Sequence, residues 1–259
     1  MPNRHGSFIW YELLTKDAKA AKAFYDAVVG WSIQAEAPPG GMDYRMIEAL
    51  DGNAGGVMQL SADMLAGGAK PAWLGYIGVD DVDATVAAIA ADGGQVHLPA
   101  FDIPGIGRLA MIADPQGVPF YVMRGASPEN STAYQRMGFQ HVSWNELNTP
   151  DDGAALAFYA RHFGFSKVGG MPMGPMGEYS FIANAESQGD AIGAVMRTPE
   201  GAQSGWGFYF RVPDILAAKA AVERGGGTVL NGPHEVPGGE MTLHALDPEG
   251  VFFGLVAPK

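Results

Sequence analysis

Cysteine is missing altogether from the 259 residues, which removes disulfides, thiolate metal sites, iron–sulfur clusters and cysteine nucleophiles at once. Positive charge is scarce: 16 Lys and Arg stand against 28 Asp and Glu, a formal charge of −12 at pH 7. So acidic a surface repels the phosphates of nucleic acid and an anionic lipid face. No apolar run approaches the roughly 20 residues needed to span a bilayer. The stretch from Met1 to Ser7 lacks the apolar segment of a signal peptide. The expectation is a soluble, cytoplasmic protein with no nucleic-acid or membrane partner. Charged residues of both signs make up only 17% and apolar residues 47%, enough to fill a core and to exclude wholesale disorder. Glycine, by contrast, is plentiful at 37 residues, about twice the usual share. Such a chain makes many tight turns, or passes its backbone close to something.

The sequence contains itself twice. Trp10-Tyr11-Glu12-Leu13-Leu14-Thr15-Lys16-Asp17 matches Trp144-Asn145-Glu146-Leu147-Asn148-Thr149-Pro150-Asp151 without a gap. Phe24-Tyr25 matches Phe158-Tyr159, Gly30 matches Gly164, Trp73 matches Trp206 and Tyr76 matches Tyr209. Asp114-Pro115-Gln116-Gly117 matches Asp247-Pro248-Glu249-Gly250, and the offset stays between 133 and 138 throughout. Two domains with the same fold are expected, 1–126 and 138–259, joined by a polar, proline-containing linker at 127–137.

Each half divides again. Residues 8–14 read as a strand. Asp17 is placed to cap a helix over 18–29, which Gly30 stops. Strands follow at 44–50 and 54–60. The plan recurs with a strand at 73–79, a helix at 81–91, and strands at 95–98, 108–113 and 118–123. The module of strand, helix and two or three strands thus occurs four times, at 8–60, 73–123, 142–198 and 206–256.

This order resembles the vicinal-oxygen-chelate superfamily, which includes glyoxalase I, extradiol dioxygenases and bleomycin-resistance proteins. The residues that carry the resemblance are Thr15-x-Asp17, Phe24-Tyr25, Gly30-Trp31, Val79-Asp80-Asp81 and Asp114-Pro115-x-Gly117, with their second-half counterparts. The chain is most similar to the tandem two-domain, glyoxalase-like subgroup labelled hydroxylase. The resemblance implies an α+β fold of two tandem glyoxalase/bleomycin-resistance-like domains. Each would pair two βαβββ modules into a curved, barrel-like sheet around a cleft.

The resemblance also implies a divalent metal acting as Lewis acid, held by His, Glu or Gln on inward-facing strand positions. Carried over one by one, those positions fall on Trp10 and Trp144, near Leu74 and Gly207, and on Tyr121 and Gly254. The remaining stretches, 54–60 and 191–198, offer Met58, Gln59, Met196 and Arg197 but no carboxylate. The expectation is that the usual metal ligands are lost, with no metal and no other cofactor. His244 lies on a strand where the first half has Met111, so no histidine repeats in both halves.

What the clefts offer instead is aromatic. Trp10, Tyr76 and Tyr121, with Trp144 and Tyr209, would line them and grip a flat molecule by stacking. Glu12 and Glu146 lie two residues after each Trp, so on the same strand face. Burial could make them general acids or bases, or they could hydrogen-bond across modules, for example to Tyr76 or Tyr209, and lock the sheet. Loops at 37–42 and 169–177 are candidate covers, the second through Met173 and Met176, whose flexible side chains suit irregular ligands. Arg108 could meet an anionic ligand or pair with a nearby acid. Three readings follow: a metal-independent small-molecule binding protein; a glyoxalase-, lyase- or hydroxylase-type enzyme with a non-standard metal site or Glu12 and Glu146 as acid/base; and a structural module with degenerate clefts. The duplication is compatible with a monomer, and a homodimer stays open.

Overall fold

A computed structural model describes residues 3–39 and 41–259. Gly40, within the candidate cover loop at 37–42, lies outside the described residues, as do Met1 and Pro2. Four βαβββ modules follow one another. The first is β1 (Phe8–Thr15), α1 (Ala18–Val29), β2 (Ser32–Ile33), β3 (Tyr44–Ala49) and β4 (Gly52–Gln59). After a short helix α2 (Ala62–Ala66) come β5 (Ala72–Gly78), α3 (Val82–Ala91), β6 (Gln95–Ile103), β7 (Gly107–Ala113) and β8 (Pro119–Gly125). The third module is β9 (Val142–Thr149), α4 (Asp152–Phe163), β10 (Ser166–Pro172), β11 (Glu178–Ala183) and β12 (Gly193–Arg197). The fourth is β13 (Gly205–Arg211), α5 (Ile215–Arg224), β14 (Thr228–Glu235), β15 (Met241–Leu246) and β16 (Phe252–Ala257).

The strands form two eight-stranded sheets, ordered β2-β3-β4-β1-β5-β8-β7-β6 and β10-β11-β12-β9-β13-β16-β15-β14. Both are open, with β2 and β6 or β10 and β14 as edges. Within a module the first strand runs parallel to the last, as in Glu12 opposite Gly56 and Leu13 opposite Val57. The helix supplies the crossover such a pair needs. α1 begins where the Asp17 carboxylate accepts from the N–H groups of Lys19 and Ala20, and it stops at Gly30, whose φ of +85° suits glycine. α4 repeats this with Asp151 and Gly164.

By compactness the chain divides into two units. The first gathers the described part of Met1–Ile9 with Gly75–Ser131 and Trp144–Trp206; the second gathers Trp10–Leu74, Thr132–Ser143 and Gly207–Lys259. Each unit thus draws on both sequence repeats. In the second, α1 packs on α5, and Tyr25, Trp31 and Trp73 meet Phe210 and Phe253 at ring separations of 4.7–6.4 Å. In the first, α3 meets α4, and Tyr159 packs against Trp206 and Phe120 at 5.3 and 5.7 Å.

The same polar link sits in each core. Tyr25 Oη donates to Asp247 at 3.1 Å and accepts from the Trp73 indole at 2.9 Å. Tyr159 Oη donates to Asp114 at 3.2 Å and accepts from Trp206 at 3.0 Å. So the Phe-Tyr pair of each repeat is fastened to the Asp-Pro-x-Gly turn of the other. The Asp also accepts from its own turn: Asp114 Oδ1 takes the N–H groups of Gln116 and Val118.

Three elements depart from the sequence expectation. The 169–177 segment is not one loop: Gly169–Pro172 belongs to edge strand β10, and only Met173–Gly177 turns, closed by Met173 N–H on Gly177 O at 2.8 Å. Strand β6 continues past residue 98 to Ile103, and α2 was not expected.

Candidate functional site

One arrangement of three residue types recurs in both halves. In the second unit, Trp10 on β1 donates its indole N–H to Tyr44 Oη on β3 at 2.7 Å. Glu12 is two residues further along β1 and 2% exposed. Gly56 stands opposite Glu12 in the ladder. The Tyr44 ring lies over that glycine, where a Cβ would sit 2.1 Å from Tyr44 Oη. A bare backbone is what lets the phenol lie flat beside the carboxylate-bearing strand.

In the first unit the array runs from indole to carboxylate. Trp144 on β9 donates to Tyr179 Oη on β11 at 2.7 Å, and Tyr179 donates to Glu146 Oε2 at 2.6 Å. Asn148, two residues beyond Glu146, donates from Nδ2 to Glu146 Oε1 at 3.1 Å. Burial pushes the Tyr179 phenol well above its ordinary value, and the Glu146 charge adds to this, so Tyr179 keeps its proton and acts as the donor. Phe181 stands edge-on to Trp144 and Tyr179 at 6.0 and 5.7 Å. Trp144, Asn148, Tyr179 and Phe181 are all half-buried, while Glu146 beneath them is buried. The result is an aromatic patch with a carboxylate at its base.

Tyr44 and Tyr179 were not singled out in the sequence, although their offset of 135 falls inside the duplication register. The sequence pointed Glu146 at Tyr76 or Tyr209; Tyr179, on the same module, is a partner it overlooked. The two halves also differ. Leu14 stands where Asn148 does, and Met46 where Phe181 does.

The other aromatic positions form pairs. In the first unit Tyr76 stacks on Tyr121 at 4.3 Å with 17° between planes. In the second unit Tyr209 lies over Gly254, where a Cβ would come within 2.2 Å of the ring, and its Oη is 2.9 Å from His244 Nε2. Of the two roles open to Arg108, pairing is what the structure contains. Its guanidinium meets Asp83 through Nε and Nη2 at 2.7 and 2.8 Å, and Asp102 at 3.1 Å. These paired acids hold its proton firmly. Met173 flanks the turn between β10 and β11, and Met176 is exposed on it.

The residues at the expected metal positions do not fit a Lewis-acid cation. Trp10 and Trp144 bring indole N–H donors spent on tyrosines; Gly254 brings no side chain, and Tyr121 is stacked. Gln59 Oε1 accepts from the Ala18 N–H at the start of α1. Among the described residues no three His, Asp or Glu side chains converge as a cation site would need.

Comparison with known proteins agrees with the modules. The family model described as Glyoxalase/Bleomycin resistance protein/Dioxygenase superfamily matches residues 7–122 and 138–255. A Mycobacterium tuberculosis protein named "Putative glyoxylase CFP32" is 32% identical over 256 residues, covering 98% of this chain and 96% of its own. "Anthracycline biosynthesis protein DnrV" of Streptomyces peucetius is 28% identical over 267 residues, covering 97% and 93%. In fold, the chain is similar to the Mn(II)-bound glyoxalase from Novosphingobium aromaticivorans, with a TM-score of 0.65 and 17% identity over 98% of this chain and 82% of that one. It is also similar to an extradiol ring-cleaving dioxygenase from B. fuscum, with a TM-score of 0.68 and 14% identity over 100% and 73%. With both repeats matched across almost their full length, this chain belongs to the Glyoxalase/Bleomycin resistance protein/Dioxygenase superfamily.

Proposed function

We propose that this protein binds a flat small molecule without a protein-held metal, on the patch formed by Trp144, Tyr179 and Phe181, with Glu146 as the polar anchor. The observation that carries this reading is the hydrogen-bonded chain from Trp144 through Tyr179 to Glu146. It fixes two ring orientations and one carboxylate in advance, so little freedom is lost when a ligand arrives. Stacking on preset aromatic faces is the main attraction such a patch can offer. A polycyclic ligand is in keeping with the relatives named for anthracycline biosynthesis.

The test uses full-length protein treated with EDTA and a neutral planar probe, acridone. Binding to the folded state must raise the melting temperature, and Trp144→Ala should abolish that rise while leaving far-ultraviolet circular dichroism unchanged. No shift in the parent protein, or a shift that survives Trp144→Ala, overturns the reading. The mycobacterial relative's name favours a second reading, in which Glu146 works as general base on a dicarbonyl-derived substrate. Turnover of such a substrate by the parent protein, abolished in Glu146→Gln, would select that reading over simple binding.

A further inference from the structure

The two halves share their strands but not the chemistry of one face. On β6 and β7, Leu98 pairs with Met111 and Phe101 with Leu109. The matching pairs of the second half, 133 residues on, are Asn231 with His244 and His234 with Thr242. Residues paired across an antiparallel ladder share a face, as do alternate residues along a strand. Leu98, Phe101, Leu109 and Met111 therefore lie on one side of the sheet, with Ile103 opposite Gly107 on the same side. Met111 stands opposite Tyr121, which stacks on Tyr76, so the face continues into that pair. Leu98, Phe101 and Ile103 are 40, 36 and 36% exposed, although β6 is an edge strand, where charged and polar side chains usually guard the rim. The second half shows that the fold accepts polar residues there: Asn231 and His234 are exposed, and Thr242 Oγ1 donates to Leu255 O at 3.1 Å. The apolar side chains of the first half are thus not a demand of the fold.

Three features say what occupies this face. Pro99 lies within β6, and two register shifts interrupt its pairing, so its edge is a poor template for another strand. The three exposed side chains offer on the order of 200 Å², taking roughly 180 Å² for a whole one, far short of the ~800 Å² that each partner of a stable dimer buries. The charged ladder pair of β6 and β7, Asp102 with Arg108, lies on the other face, and Arg108 is spent on Asp102 and Asp83. A charged ligand group would lose its water here with no partner in return. We propose that this face is a second ligand site, made of other residues than the Trp144–Tyr179–Glu146 patch, and that it takes an uncharged, hydrocarbon-rich small molecule. Leu98 and Phe101 set that preference, and the unbranched Met111 side chain adapts to the ligand's shape. The duplicated chain thus presents an apolar wall on β6 and β7 and a hydrogen-bonding one on β14 and β15.

The test uses full-length protein and the neutral probe N-phenyl-1-naphthylamine, whose emission rises on apolar contact. The parent should bind it saturably. Leu98→Asn/Phe101→His gives the first half the residues that the same pairing already carries in the second. It should weaken binding at least tenfold while far-ultraviolet circular dichroism stays unchanged. Leu98→Asn alone, at an exposed edge position, should weaken it at least threefold, and it decides the matter if the double variant fails to fold. Leu216→Asn removes an equally apolar, exposed side chain from α5 and should change affinity less than twofold. The anionic probe 1-anilinonaphthalene-8-sulfonate, which shares the ring system, should bind the parent at least tenfold more weakly. The double variant should narrow that gap, which net charge alone would not do. No saturable binding by the parent, binding that the Leu98 variants leave intact, or equal affinity for the two probes overturns the proposal. Sedimentation velocity tests the remaining occupant: a parent dimer that Leu98→Asn/Phe101→His converts to monomer would mean that a second copy covers this face, and the proposal would fall.

Discussion

Two aspartates sit where aspartate is costly. Asp114 and Asp247 are nearly inaccessible, at 1% and 6% exposure, and each accepts from two N–H groups of its own turn and from the tyrosine of the other repeat. Burial raises both carboxyls above the ordinary aspartate value, outweighing those donors. The sign follows from linkage. The folded chain keeps these protons at pH values where the unfolded chain has already released them. The associated stability is fully present below the unfolded value, near 4. It falls as pH rises through the window up to the raised folded value. Asparagine in place of Asp247 keeps an acceptor for the turn and removes the titration. The stability of Asp247→Asn minus that of the parent should therefore rise across that window. Urea unfolding at pH 4, 5 and 6 measures it, and a flat or falling difference would remove burial of the charged Asp247 as the cause.

At the scale of elements, the sequence was legible wherever local chemistry closes a segment. Asp17, with its carboxylate on Lys19 and Ala20 N–H, and Gly30, in the left-handed region, bound α1 at the residues expected. Asp81 does the same for α3 through the Ala84 N–H. Removing such a cap costs about 1 kcal/mol. Asp17→Ala should lower unfolding free energy by that amount with an unchanged denaturant slope, and a loss below a few tenths would show that the packing of α1 holds its first turn unaided. The edges were less legible. β10 contains Gly169, Gly170 and Pro172 and is exposed along almost its whole length, so no apolar alternation marks it. It exists because β11 offers a partner backbone. β6 is likewise exposed and shifts register twice against β7, which blurs the period-two pattern that ended its expected range at residue 98. The site was half legible for a related reason. Trp144 and Glu146 share a strand, so their common face followed from spacing. Tyr179 reaches them from another strand, and that contact depends on pairing that spacing along one strand cannot supply. Asn148 has no counterpart of its kind in the first half, where Leu14 stands.

At the scale of the molecule, the sequence repeats and the compact units are different divisions of the chain. The repeats run 7–122 and 138–255, whereas each unit combines segments of both. The second unit shows what this means energetically. Tyr25, Trp31 and Trp73 of the first repeat are buried against Phe210 and Phe253 of the second, and Tyr25 takes its hydrogen-bond acceptor, Asp247, from there as well. Phe24 fills the space over Gly225 and Gly227, where a Cβ would come within 2.7 and 3.0 Å of its ring. A fragment holding residues 1–126 alone would expose these rings and leave the Tyr25 hydroxyl without Asp247. A buried aromatic side chain contributes roughly 1.5–3 kcal/mol, and a domain's whole margin is about 5–15 kcal/mol, so losing several such contacts removes a sum comparable to that margin. The fragment should therefore show no cooperative thermal transition by near-ultraviolet circular dichroism as a monomer. Co-expression with 127–259 should restore one, because the missing partners lie in that half. A monomeric 1–126 fragment melting cooperatively near the full-length temperature would mean that each repeat carries a sufficient core by itself and that the shared packing is secondary.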